Sequence, residues 1–159
     1  MKYAVALLFS LLPLVANALQ TGEKLAPWTL LDQHDQPYTL DAGTHVLLVA
    51  RDMDGAKLVK AALAEQPKGY LESRDAVFVA DIQRMPALIS KLFAIPAMRD
   101  YNYRVMLDRE GQVASRYPGQ EGKVLWLQLE QGALVSQQEF ADAPALKAAL
   151  EKAQASKSE

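Results

Sequence analysis

In the stretch His45-Val46-Leu47-Leu48-Val49-Ala50-Arg51-Asp52-Met53-Asp54-Gly55-Ala56, every residue from Val46 to Ala50 is apolar, where a half-exposed strand would alternate. A short unbroken apolar run of this kind reads as a strand covered on both faces of a sheet. Asp52-Met53-Asp54-Gly55 then turns the chain. From Ala56 to Gln66 the apolar residues Leu58, Val59, Ala62 and Leu63 fall at helical spacing, with Lys57, Lys60 and Glu65 between them. Pro67-Lys68-Gly69 stops that helix, and Ala76-Val77-Phe78-Val79-Ala80 repeats the buried-strand pattern. A helix between two buried strands implies a right-handed crossover and a parallel pair.

Outward from this unit, Trp28 to Asp32 and Tyr38 to Leu40 flank Gln33-His34-Asp35-Gln36-Pro37, which reads as an N-terminal β-hairpin. Downstream, Pro86 opens a helix with the apolar stripe Leu88, Ile89, Leu92 and Phe93, expected to end near Ile95-Pro96. Two further hairpins are expected. Arg104 to Asp108 turns at Arg109-Glu110-Gly111 into Gln112-Val113-Ala114, and Val124 to Leu129 turns at Glu130-Gln131-Gly132 into Ala133-Leu134-Val135. Asp142 caps a last helix, with Pro144 in its first turn and Leu146, Ala149 and Leu150 on one side. The class is α/β, with one domain over residues 19–153 and a disordered tail at 154–159.

Residues 1–18 read as a cleavable signal peptide, with Lys2 at its start, an apolar run to Val15, and Ala16-Asn17-Ala18 before the cut. The run is shorter than the roughly 20 residues of a membrane span. Export to the periplasm is therefore expected, with no membrane attachment after cleavage. A net charge of −2 lacks the basic balance of a nucleic-acid binder. The chain has no cysteine, which removes disulfides, thiolate metal sites and thiol catalysis.

The chain resembles thioredoxin-like proteins of the peroxiredoxin or periplasmic TlpA-type branch. The resemblance rests on Ala26-Pro27-Trp28-Thr29-Leu30-Leu31-Asp32 with Pro37-Tyr38-Thr39-Leu40, on Val46 to Val49, on Val77 to Pro86, and on Leu125 to Leu134 with the helix from Asp142. It implies a three-layer α/β/α sandwich with a mixed central sheet, an N-terminal β-hairpin, and an insertion over about 97–122 carrying an extra hairpin. It also implies that Met53 and Ala56 stand where the family carries its Cys-x-x-Cys pair, and that Gly122-Lys123-Val124 stands where it carries a cis-proline. A thioether cannot be deprotonated, so thiol–disulfide exchange and thiol-based peroxide reduction are excluded. No cofactor is expected. A flavin-dehydrogenase activity is unsupported, because no Gly-x-Gly-x-x-Gly is present and Gly119 with Gly122 makes no phosphate cradle.

Several constellations are candidates for function. Asp52 and Asp54 end a buried strand and Asp81 ends its neighbour, where open α/β sheets place ligands, so the three could hold a hard cation such as Ca²⁺ or simply cap a helix. His34 beside Asp32 and Asp35 reads as a solvated hairpin tip, and His45 as structural. In Arg99-Asp100-Tyr101-Asn102-Tyr103-Arg104, and at Tyr117, the residue types of binding hot spots concentrate. Arg99, Tyr101, Tyr103, Arg104 and Tyr117 are the partner-binding candidates. The leading expectation is a non-catalytic periplasmic module that binds a protein or peptide partner. The alternative is a thiol-independent enzyme, or a metal- or small-molecule-binding protein.

Overall fold

A computed structural model describes residues 19–155; the expected signal peptide and its cleavage point's upstream side lie outside the described residues, as do 156–159 of the expected tail. Among the described residues one mixed sheet is built from β1 (Thr29–Asp32), β2 (Pro37–Thr39), β3 (Val46–Ala50), β4 (Ala76–Asp81), β5 (Met106–Asp108), β6 (Val124–Glu130) and β7 (Ala133–Phe140). Their spatial order is β2-β1-β5-β4-β3-β6-β7. β3 pairs parallel to β4, from Val46 opposite Ala76 to Ala50 opposite Ala80, and β4 pairs parallel to β5. The N-terminal hairpin and the closing β6–β7 hairpin add antiparallel strands on either side. The two unbroken apolar runs thus lie side by side at the centre, covered on both faces.

The helices are α1 (Met53–Leu63), α2 (Ala87–Ile89), α3 (Ile95–Met98) and α4 (Ala143–Ala155). Alternation along the strands divides the core. Val46, Leu48, Ala50, Phe78 and Trp126 face α1, α4 and the end of α3. Leu47, Val49, Val79, Leu125 and Leu127 face the opposite way, against Trp28, Leu40, Val113 and Tyr117. Leu47 and Leu48 are fully buried, and emptying either site with alanine is expected to cost about 2–5 kcal/mol.

The expected layers are uneven. Among the described residues the second face of the sheet carries no long helix; it is covered by the 3₁₀ turn Ala114–Arg116 and by the segment from Leu19 to Trp28. That segment is strapped to β7 by Gly22 N–H to Leu134 O at 2.7 Å, Leu25 N–H to Gly132 O at 2.9 Å and Leu134 N–H to Glu23 O at 2.9 Å.

Three local expectations are corrected. The extra hairpin in 97–122 does not form: β5 is a single strand placed inside the sheet between β1 and β4, and no strand follows at 112–114. The reason is Asp108, only 1% exposed, whose carboxylate accepts the amides of Gln112, Val113 and Ala114 and winds them into a turn. Second, the helix from Pro86 does not stop at Ile95-Pro96. α2 runs through a π-helical turn (Ser90–Ala94) into α3. Pro96 has no N–H for a carbonyl one turn back, and the wider π turn lies immediately before it. Its stripe is also not core: Leu88, Ile89, Leu92 and Phe93 are all exposed, and the helix is anchored instead by Ile95 and Met98. Third, α4 continues through Gln154 and Ala155, past the expected start of the tail.

Candidate functional site

The turn between β3 and α1 begins at Asp52, the N-cap of α1, whose Oδ1 accepts the Gly55 amide at 2.8 Å. Its Oδ2 accepts the Gly122 amide at 2.7 Å. Gly122-Lys123-Val124 therefore lies directly against this turn. The approach is so close that a Cβ on Gly55 would sit 2.6 Å from the Lys123 carbonyl oxygen. No cis peptide bond is present among the described residues. Met53 opens α1 and is half exposed, and Ala56 lies one turn on, partly buried.

Met53 and Ala56 share the rim of a small cavity of about 160 Å³. Met98, Tyr101 and Tyr103 form its far wall, with Lys57 and Lys60 at its mouth. Tyr101 stacks on Tyr103 with ring centroids 5.0 Å apart, and the Lys60 ammonium lies 5.0 Å from the Tyr101 ring. The space is lined mainly by apolar and aromatic side chains and falls below the roughly 300–1,000 Å³ of ordinary small-molecule sites.

The three carboxylates do not converge. Asp52 uses both oxygens on backbone amides, Asp54 points outward beside Lys57 at 3.9 Å, and Asp81 accepts the Gln83 amide at 3.0 Å and the Gln83 side chain at 2.9 Å. Among the described residues no three His, Cys, Asp or Glu side chains are grouped as metal ligands would be. His34 lies exposed at the hairpin tip, and His45 Nδ1 lies 3.1 Å from Asp75 Oδ2.

The partner-binding candidates separate into core and surface. Tyr103 and Tyr117 are buried, Tyr103 within the wall of the small cavity. Tyr117 accepts a hydrogen bond from the Trp28 indole at 2.8 Å, and burial pushes both phenols above their ordinary range. Arg104 is committed to buried Asp32 at 2.6 Å. Burial would raise the Asp32 carboxyl, but Arg104 and the Gln36 and His34 amides together outweigh it and hold it below its ordinary value. Arg99 and Tyr101 remain accessible, Arg99 exposed and Tyr101 half-buried.

Sequence reasoning missed the exposed helix face. Leu88, Ile89, Leu92 and Phe93 are 45–67% exposed, side by side on one helical surface. The helical spacing was visible, but such spacing marks a face without saying what covers it. It missed also the groove beside that helix. About 640 Å³ in volume, this groove runs along the 82–87 turn and is bordered by Arg84, Lys91, Arg99 and Arg109.

No protein-family model matches the chain, and no curated protein matches its sequence. Solved structures do match. The peroxidoxin BcpB from Mycobacterium tuberculosis is similar at 18% identity and TM-score 0.56, over 86% of this chain and 97% of that one. A thio-disulfide isomerase from Thermus thermophilus is similar at 23% identity and TM-score 0.51, over 85% and 97%. The thioredoxin domain of a thiol-disulfide oxidoreductase from Bacteroides vulgatus is similar at 17% identity and TM-score 0.51, over 85% and 98%. The fold is thioredoxin-like, and it carries no cysteine.

Proposed function

We propose that this thioredoxin-like chain is a redox-inactive binding module of the periplasm, and that its ligand is a protein or peptide. The observation that carries the reading is the uncovered face of Leu88, Ile89, Leu92 and Phe93. Large apolar side chains gathered on one exposed surface have an unfavourable contact with water that a partner removes. The same helical segment reaches the cavity beside Met53 and Ala56, since Met98 at its end is part of that cavity's wall. Export rests on residues 1–18, and no described helix is long and apolar enough to cross a membrane.

The test is in-cell crosslinking from a photoreactive residue at Phe93, with the same residue at Val135 as control. Val135 is also exposed but lies on β7. A defined protein band from position 93 and none from 135 is the expected result. Equal, diffuse labelling from both would end the proposal. Fractionation adds the compartment: the protein should appear in the periplasmic fraction with Leu19 at its amino terminus.

A further inference from the structure

The groove beside the exposed helix carries a local charge opposite to that of the whole molecule. The chain has a net charge of −2, yet Arg84, Lys91, Arg99 and Arg109 border this groove and Asp35 is its one acidic lining residue. Arg84 is matched by Glu121 at 2.7 Å. Arg99 and Arg109 reach Asp35 from different parts of the chain, one from the end of α3 and the other from the turn after β5. Their Nη2 atoms lie 3.8 and 3.9 Å from the two Asp35 oxygens. Those separations are ion pairs without hydrogen bonds, so the guanidinium N–H groups aimed at Asp35 are not engaged by it. Lys91 has no ion pair among the described residues.

The two arginines are positioned differently, Arg99 through its guanidinium and Arg109 through the backbone of its turn. Arg99 donates through Nε to the Gln33 carbonyl at 3.0 Å, and Gln33 is itself buried and bonded to the Tyr103 carbonyl and the Val105 amide. Arg109 follows Asp108, whose three amide bonds fix the turn, and Gly111 lets Gln83 pack across that turn at a φ of +68°. Asp35 has a left-handed φ of 59°, a conformation Asp tolerates better than most residues. A guanidinium held as Arg99 is, with donors unused, recognises a carboxylate at a lower ordering cost than a flexible cation would, and Arg109 places a second one beside it. Met85, Pro86 and Ile95 give the groove an apolar wall beside the polar Gln83 and Ser90, and its helix also carries the Leu88–Phe93 face.

We propose that this groove binds an acidic peptide segment of the partner, with its carboxylates on Arg99, Arg109 and Lys91 and its apolar side chains on the α2–α3 face. The inference rests on the binding-module reading and adds the partner's chemistry. A concave groove suits a chain segment better than the flat surface of a bilayer, and the juxtaposed charge and apolar face suit a peptide carrying both.

The test uses the protein as processed and exported by cells, with short fluorescent peptides bearing two glutamates beside a leucine and a phenylalanine. Anisotropy titration is expected to show these peptides binding about tenfold tighter than the same peptides with lysine for glutamate, with affinity falling as salt rises. Arg109→Gln and Lys91→Gln should each weaken binding about fivefold or more, while Lys152→Gln on α4 should not. Asp35→Asn removes the competing carboxylate and should tighten binding severalfold, an effect that a purely structural role for Asp35 would not give. Equal binding of acidic and basic peptides, or no binding to either, would overturn the proposal. So would binding confined to phosphatidylglycerol vesicles, or a dimer abolished by Arg109→Gln. If Phe93 still crosslinks a partner in any of those cases, the module reading stands and only the acidic groove falls.

Discussion

Asp52 and Gly122 are seventy positions apart in sequence and joined by a 2.7 Å hydrogen bond, the Gly122 amide donating to the carboxylate that also caps α1. One side chain therefore fixes the start of the helix and the loop that enters β6. Asp52→Ala is expected to cost about 1–3 kcal/mol, combining a lost N-cap with a lost partner for the Gly122 amide. Asp54→Asn, which changes only an exposed charge near the helix start, should cost no more than about 1 kcal/mol. Thermal unfolding of both variants with Ca²⁺, Mg²⁺, Mn²⁺ or chelator checks this. A metal-dependent rise in the melting point of the wild type, lost in Asp54→Asn, would revive a cation site.

The wild type should show no disulfide reductase or thiol peroxidase activity in insulin-reduction and peroxide-consumption assays. The double variant Met53→Cys with Ala56→Cys should behave differently. Its first thiol would open α1, where the helix dipole lowers a thiol pKa, and the pair should oxidise to a disulfide. Alkylation rate against pH and mass under oxidising conditions report both properties. Thiols that stay unpaired would show that these two positions do not take the place of a Cys-x-x-Cys pair.

The central unit was legible in sequence because its signals are local. Two unbroken apolar runs became β3 and β4, and an acidic turn before a helical stripe became the capped α1. Misread features depended on distant partners. Val113 and Ala114 look like strand residues until Asp108 captures their amides. Tyr103 and Tyr117 have the composition of a binding surface, and only their tertiary neighbours, Tyr101 and Phe78 for one and the Trp28 indole for the other, show them to be core. β5 contributes three residues to the middle of the sheet, and nothing in those three letters announces β1 and β4 on either side.

Stability should fall at both ends of the pH range. The folded Asp32 carboxyl titrates below its ordinary value of 3.8, so its contribution is present above that pH and is lost as pH drops through the lowered value. Arg104→Gln should remove about 1–3 kcal/mol at neutral pH and flatten the acid limb, because the buried carboxylate loses its charged donor. On the alkaline side burial raises Tyr38, Tyr70, Tyr103 and Tyr117 above 10.0, and stability declines once pH exceeds that value. Urea unfolding across pH gives both limbs, and an unchanged acid limb in Arg104→Gln would refute the Asp32 assignment.

Leu92→Glu and Phe93→Ser should leave stability within about 0.5 kcal/mol, as exposed positions do, while Leu48→Ala should lose about 2–5 kcal/mol. The same two surface variants should abolish crosslinking to the partner from a photoreactive residue at Ile89. Loss of stability comparable to Leu48→Ala would mean the face packs inside the molecule after all.

The strap between residues 22–25 and β7 also bears on self-association. A sheet with open ends can add strands from another molecule. Here one end is β2, three residues long and starting with a proline that has no N–H to offer. The other end is the eight-residue β7, and Gly22 to Leu25 occupy the hydrogen-bonding groups of Leu134 at its start and of Gly132 just before it. Trimming the chain through Leu25 would free those groups and lengthen the edge on which another copy could add a strand, so the same residues that cover the core also shorten the exposed edge of the sheet.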